Sequence, residues 1–254
     1  MTRRVEVVPV EGLPEIGAGD SLGALIVEAV SVTGEGIRSE DVLVVSQKVV
    51  SKAEGRFVNL ADVEPGERAR DLAARLGKDP RLVELILRES VDVVRAERDV
   101  LIADGRSGWI SANAGIDASN VPGADRVTLL PAEPDASARR LRAEIRDATG
   151  ALPGVVIADS FGRPWRLGQT DVAIGCAGIA PLDDWRGRSD RDGGELAATV
   201  IAVADELAAA ADLARGKDEG VPVAMVRGVA RFVTSDDGPG AAALRRARDE
   251  DLFR

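Results

Sequence analysis

DVLVVSQKVVSKAEGR, residues 41–56, sets the fold problem for this chain. VLVV is short and uniformly apolar, which reads as a strand buried on both faces. SQKVVSKAEG leaves that strand as a loop or as the start of a helix. If it is helical, Lys48 and Lys52 stand one turn apart on one face. Two readings of that face stay open: contact with phosphates, or a solvated surface.

A fully buried strand needs strand neighbours, and the sequence offers several. VEVVPV (5–10) alternates weakly, GVVIADS (154–160) is continuously apolar up to its polar end, and VPVAMVRG (221–228) reads the same way. VAIGCAGIAP (172–181) is apolar and glycine-rich, VTLLP (127–131) is strand-like, and short strands are expected around Val91–Arg95 and Val100–Ala103 with a turn at 103–108.

Helical spacing of Leu22, Leu25, Ile26, Ala29 and Val30 predicts a helix, with Asp20 or Ser21 as its cap. Residues 65–89 carry two helical patterns divided by KDP (78–80). DASARRLRAEIRDATG (135–150) predicts a helix stopped by Gly150. Leu196, Val200, Val203, Leu207 and Ala214 predict the longest helix over 195–217, and 240–254 reads as an exposed C-terminal helix. Strands and helices mix without a regular βαβ rhythm. The fold class is therefore α+β, with mixed sheets and packed helices. No repeat or linker divides residues 1–254, which read as a single functional unit.

Composition narrows the chemistry. The chain has 254 residues, 45% of them hydrophobic, and a formal net charge of −10. That charge argues against nucleic acid as a partner. No apolar run approaches the ~20 residues needed to span a bilayer, and no signal peptide is evident, so a cytoplasmic protein is expected. Cys176 is the only cysteine, which excludes an internal disulfide. Histidine and tyrosine are absent. Imidazole acid–base chemistry, Ser-His-Asp triads and His-containing zinc sites are thereby excluded. A metal must be held mainly by oxygen, which favours Mg²⁺, Mn²⁺ or Ca²⁺.

Two further stretches carry candidate chemistry. NAGIDASN (113–120) is built of small and amide residues around Asp117. It reads either as a tight turn or as a close-approach loop offering one carboxylate. In IADSFGRPWRLGQTD (157–171), Asp159 and Ser160 end an apolar strand, with Arg163, Arg166, Phe161 and Trp165 beyond them. Asp117, Asp159 and Ser160 can together hold divalent cations, with basic residues facing phosphates. Neither a P-loop nor a Rossmann glycine fingerprint is present.

GLPEI (12–16), DVLVVSQKVVSKAEGR, NAGIDASNV (113–121), DSFGRPWRLGQTDVAIGCAGI (159–179) and the run from Gly194 to Gly228 occur in order along nearly the whole chain. In these segments the chain resembles the coenzyme F420-0:L-glutamate ligase (γ-glutamyl ligase) family. It is also similar to the N-terminal ligase half of the two-domain actinobacterial enzymes. Their flavin-reductase-like half is missing here, so a stand-alone form or a piece of a longer protein is expected.

The resemblance implies a GTP-dependent ligase. Its members join L-glutamate by an amide to the carboxylate of coenzyme F420-0, then add γ-linked glutamates to F420-1. An acyl phosphate forms on the way, and GDP and phosphate are released. It implies two divalent ions, Mg²⁺ or Mn²⁺, with K⁺ as a further ion, and an intertwined two-lobed α+β homodimer. Residue by residue, Asp117 and Asp159 match metal-binding aspartates, and Ser160 a hydroxyl serving a second metal. Leu13, Pro14, Glu15 and Ile16 match a nucleotide-binding loop, and Ser46, Gln47, Lys52 and Asn120 match nucleotide contacts.

The family supplies no assignment for Arg163 and Arg166. Their fork geometry and position suggest contact with the acceptor or the transferring phosphate; the alternative is pairing with Asp183 or Asp184. In some members a glutamine before GVPV assists the second metal, whereas this chain reads RGKDEG. Lys217 cannot ligate a cation, so Asp218 or Glu219 substitutes, or that metal keeps more water. Two rival functions use the same residues: a metal-dependent phosphotransferase or ligase with another acceptor, and a non-catalytic nucleotide-binding protein.

Overall fold

The computed structural model describes residues 4–32, 34–118, 125–216 and 218–252. The strand predicted from VLVV lies at the centre of a five-stranded mixed sheet. Its strands are β1 (Glu6–Val10), β2 (Val42–Ser46), β8 (Gly154–Arg163), β9 (Arg166–Ala177) and β12 (Val223–Arg227). Their order across the sheet is β1-β12-β2-β8-β9. β2 runs parallel to β8, with Ser46 opposite Ala158, and the other pairings are antiparallel.

Side chains alternate across the sheet as strand geometry requires. Leu43, Val45, Val155 and Ile157 face helices α1 (Leu22–Val32), α2 (Gln47–Ala53) and α5 (Pro134–Thr149). Val42, Val44, Val156 and Ala158 face α6 (Val203–Asp212) and Ala241. Burial on both faces is why VLVV carries no polar residue.

Two local contacts set the helix positions. Glu144 of α5 takes the Gly23 N–H at 2.8 Å and the Ser21 hydroxyl at 3.0 Å, so an acid from one helix caps the other. Gly175 lets α5 sit directly on β9, since a Cβ there would lie 2.5 Å from the Pro134 backbone. That close approach also brings Asp135 to the Cys176 N–H at 2.9 Å.

A smaller apolar cluster forms beside this sheet, around α3 (Glu67–Leu76) and α4 (Pro80–Arg88). Gly77, with φ of 62°, ends α3 where KDP predicts a break. These helices pack on β4 (Ser90–Glu97), β5 (Val100–Gly105) and β6 (Ile110–Ala112), which form a three-stranded sheet. Arg98 and Asp99, both at positive φ, turn β4 into β5. A short pair, β3 (Phe57–Asn59) with β7 (Arg126–Thr128), joins the two parts.

The α+β class stands, and so does the helix over 135–150. Four expectations are corrected or sharpened. SQKVVSKAEG is helical, as α2. The strand expected to end at Ser160 runs on to Arg163 and turns back at Pro164–Trp165, so 154–177 is one long hairpin.

The helix expected over 195–217 forms only as α6, and α5 is the longest helix among the described residues. Thr199, Val200 and Ile201 are β-branched, and Val200–Ile201 forms β11, paired with β10 (Asp183–Asp184). The C-terminal helix is replaced by 3₁₀ turns at Ala241–Leu244 and Arg248–Glu250. Of residues 241–252 only Ala241 is buried, so no apolar stripe is available to pack a longer helix. Among the described residues no helix is long and apolar enough to cross a membrane.

Candidate active site

The parallel strands β2 and β8 end side by side, and their carboxyl ends open into a cleft of about 1420 Å³ between the large sheet and the β4–β6 sheet. Ligands in open α/β sheets gather beyond such strand ends, because backbone and side-chain polar groups emerge there from an apolar support. Here that support delivers Ser46 from β2, and Asp159 and Ser160 from β8.

Asp117 reaches the cleft from the opposite side. Asn113, Ala114 and Gly115 all take positive φ, with values of 53°, 53° and 73°. This left-handed turn is costly for the first two residues. It delivers Asp117 to Thr128, where two backbone hydrogen bonds of 3.0 and 2.8 Å fix it. The Asp117 carboxylate pairs with Lys48 Nζ at 2.8 Å. One turn further along α2, Lys52 is buried and ion-pairs with Glu15 of the 13–16 loop. The solvated-face reading of these lysines is therefore set aside.

The negative groups crowd together. Burial pushes the Asp159 carboxyl up to about 7, and the charges of Asp171 and Asp117 push the same way; the Ser160 N–H and Lys48 oppose them. Asp171, on β9 directly opposite Ser160, accepts the Ser160 hydroxyl at 2.6 Å. Its other oxygen accepts Arg215 Nη2 at 2.7 Å. Burial pulls the Arg215 guanidinium below its ordinary pKa, against the attraction of Asp171 and Asp212.

One cleft thus gathers Leu13, Pro14, Glu15, Ile16, Ser46, Lys52, Asp117, Asp159, Ser160 and Arg163. Two other candidates lie elsewhere. Gln47 is buried, accepting the Ser51 hydroxyl at 2.9 Å, and Arg166 is exposed and not part of the lining. Asn120 and Lys217 fall outside the described residues. Of the two acids beside Lys217, Asp218 lines the cleft, while Glu219 accepts the Gly216 N–H at 3.2 Å.

Arg163 donates to the carbonyl of Leu167 at 2.7 Å. Asp183 and Asp184 pair with Arg188 and Arg186 instead of with Arg163 or Arg166. The sequence pattern does not point to Asp171 or Arg215. Reading 154–177 as one hairpin would have placed Asp171 close to Ser160, whereas nothing in LARGKDEG marks Arg215.

The donor set is all hard oxygen, suited to Mg²⁺ or Mn²⁺. Among the described residues no three His, Cys, Asp or Glu side chains form a metal cage on their own. A cation here would therefore complete its shell with Ser160, water or phosphate oxygens. Fold and site together define an α+β protein with a carboxylate- and lysine-lined cleft at the ends of two parallel strands.

Comparison with known proteins narrows that class. The F420-0:Gamma-glutamyl ligase family matches residues 12–228. A protein named coenzyme F420:L-glutamate ligase from Methanothermobacter thermautotrophicus is 43% identical over 98% of this chain and 99% of its own length. Proteins of the same name from Methanopyrus kandleri and Haloarcula marismortui are each 44% identical, over 100% and 98% of this chain and 98% and 96% of their own lengths. The chain belongs to the F420-0:gamma-glutamyl ligase family.

Proposed function

We propose that this protein ligates L-glutamate to the carboxylate of coenzyme F420-0, and then to F420-1, at the expense of GTP. The observation that carries the reading is the gathering of Asp117, Asp159, Ser160, Lys52 and the 13–16 loop around one cleft. The names of the relatives support the glutamate and F420 specificity.

An amide cannot form from a carboxylate without a better leaving group. In this reading an acceptor carboxylate oxygen attacks the γ-phosphorus, the bond to GDP breaks, and an acyl phosphate results. The glutamate amine then attacks the acyl carbon, phosphate departs, and the ammonium protons pass to water. Asp117, Asp159 and Ser160 would hold Mg²⁺ or Mn²⁺, with Asp218 within the same lining; K⁺ remains part of the proposal. A bound divalent cation would draw charge from the phosphate oxygens and so favour attack at phosphorus. Lys52 neutralises the nucleotide from the other side, and Glu15 holds the lysine in place until phosphate competes for it. Activity is tested by mass spectrometry of the deazaflavin product formed with GTP and glutamate.

Lys52→Ala should weaken GTP binding about ten- to a hundredfold, since a charge-assisted contact contributes roughly 1.5–3 kcal/mol. Calorimetry showing wild-type GTP affinity would remove Lys52 from the nucleotide site. Of the two arginines, we assign the anionic acceptor to Arg163. Arg163→Lys should raise the acceptor KM and leave GTP affinity alone, and Arg166→Lys should change neither.

A homodimer is part of the same reading. Trp165 is 82% exposed and Leu167 97% exposed at the tip of the β8–β9 hairpin. Two large apolar side chains held in water at a projecting tip favour a partner surface. The double variant Trp165→Ser/Leu167→Ser should elute as a monomer where the wild type elutes as a dimer; equal elution of both would count against this surface. The buried free thiol of Cys176 is compatible with work in the reducing cytoplasm.

A further inference from the structure

We propose that Asp171 and Arg215 form a buried clasp that sets the Ser160 hydroxyl and the 218–222 stretch for cation and phosphate binding, both acting as positioning residues. The inference rests on the functional reading above and extends it to two residues outside the family pattern identified in the sequence. Asp171 is 5% exposed and Arg215 7% exposed, so both ions are buried. Replacing such a pair by apolar residues of similar volume is often neutral or stabilising. A pair kept in the wall of a cleft therefore calls for a role besides stability.

Each contact of the clasp points the same way. Ser160 donates its proton to Asp171 Oδ1 at 2.6 Å. With that proton committed to Asp171, the Ser160 oxygen meets any further group only through its lone pairs, as a cation ligand does. A neutral or displaced residue 171 would release the hydroxyl to rotate and offer its proton instead.

Arg215 fixes the orientation of the Asp171 carboxylate through Oδ2 at 2.7 Å, and donates from Nη1 to the Pro222 carbonyl at 3.2 Å. That carbonyl also accepts the Ser46 N–H at 2.8 Å, at the end of β2. One guanidinium therefore ties together β9, the start of β12 and, through a shared acceptor, the end of β2. Gly216, Asp218, Gly220 and Val221, all close to Arg215 or Pro222 in sequence, line the cleft. The planar fork of arginine spans both acceptors, and a lysine cannot do so.

The test is titration of MnCl2 alone into the full-length protein, followed by calorimetry. The double variant Asp171→Leu/Arg215→Met removes both buried ions of the clasp together and should fold. Its Mn²⁺ affinity should drop about 10–100-fold, the usual loss when a group orienting a metal ligand is removed. Adding Ser160→Ala to that background should cost little more, because the hydroxyl is already misdirected.

Wild-type Mn²⁺ affinity in the double variant, or an undiminished Ser160→Ala effect within it, would overturn the clasp. So would a wild-type chain that binds no Mn²⁺. If the double variant does not fold, Arg215→Lys gives the same readout: a several-fold weaker Mn²⁺ site is expected, and unchanged affinity overturns the proposal. A wild-type chain that binds Mn²⁺ but ligates no glutamate would sink the functional reading and leave the clasp to be judged by the titration.

Discussion

Asp159→Asn is expected to leave a folded protein that no longer forms the glutamyl amide, with turnover down by more than about a thousandfold, and that is more stable than the wild type near pH 8 in the absence of metal. The first effect follows from cation chemistry: an amide keeps the shape and removes the anionic oxygen that a hard ion requires. The second follows from the electrostatics of the cleft. In the folded chain Asp159 titrates near 7, against an ordinary value of 3.8.

A carboxyl whose pKa is raised by folding favours the native state below 3.8, and loses that contribution as the pH rises through 7. Moving a carboxyl from 3.8 to about 7 corresponds to about 4 kcal/mol, the upper bound of the gain from Asp159→Asn above neutrality. At pH 4 the two proteins should melt together, and at pH 8 the variant should melt higher. Thermal melts across that range decide it, and a variant less stable at pH 8 would contradict the crowded-acid picture. Asp117→Asn should match the loss of turnover without the same gain, because Asp117 is already paired with Lys48.

Arg215→Met alone should cost about 3–5 kcal/mol, because it breaks a buried ion pair by removing one partner. Denaturant unfolding gives the number directly. Asp171→Leu in the same chain should restore most of it, and a single variant within about 0.5 kcal/mol of wild type would mean that Arg215 is not what holds the Asp171 charge in the protein.

The central sheet was legible because burial on both faces forces continuous apolar runs, as in VLVV and GVVIA. The helix over 135–150 was legible from its stripe and from Gly150. The β8–β9 hairpin beyond Ser160 was not, because Gly162, Pro164 and Gly168 interrupt the strand pattern along its exposed tip. The helix expected over 195–217 failed where Leu196 and Val200 happen to fall at helical spacing, while Thr199–Ile201 prefer an extended pairing with Asp183–Asp184.

Asp117, Asp159 and Ser160 could be picked out from the residues themselves because they sit at a strand end or a tight turn, where small and polar residues interrupt apolar runs. The 13–16 loop and Ser46 come from the family resemblance. Arg215 could not be picked out, since its role depends on meeting Asp171 across 44 residues of chain. Gln47, which the resemblance matches to a nucleotide contact, has its side chain buried by the first turn of α2, where it accepts the Ser51 hydroxyl.

The most direct test of the ligase reading is to incubate the wild-type chain with GTP, Mg²⁺ or Mn²⁺, L-glutamate and F420-0, and weigh the deazaflavin product. The account predicts a gain of one glutamyl residue, then of further glutamyl residues, with one GDP and one phosphate released per addition. GTP and Mn²⁺ binding by calorimetry, with no mass added to F420-0 under the same conditions, would contradict it.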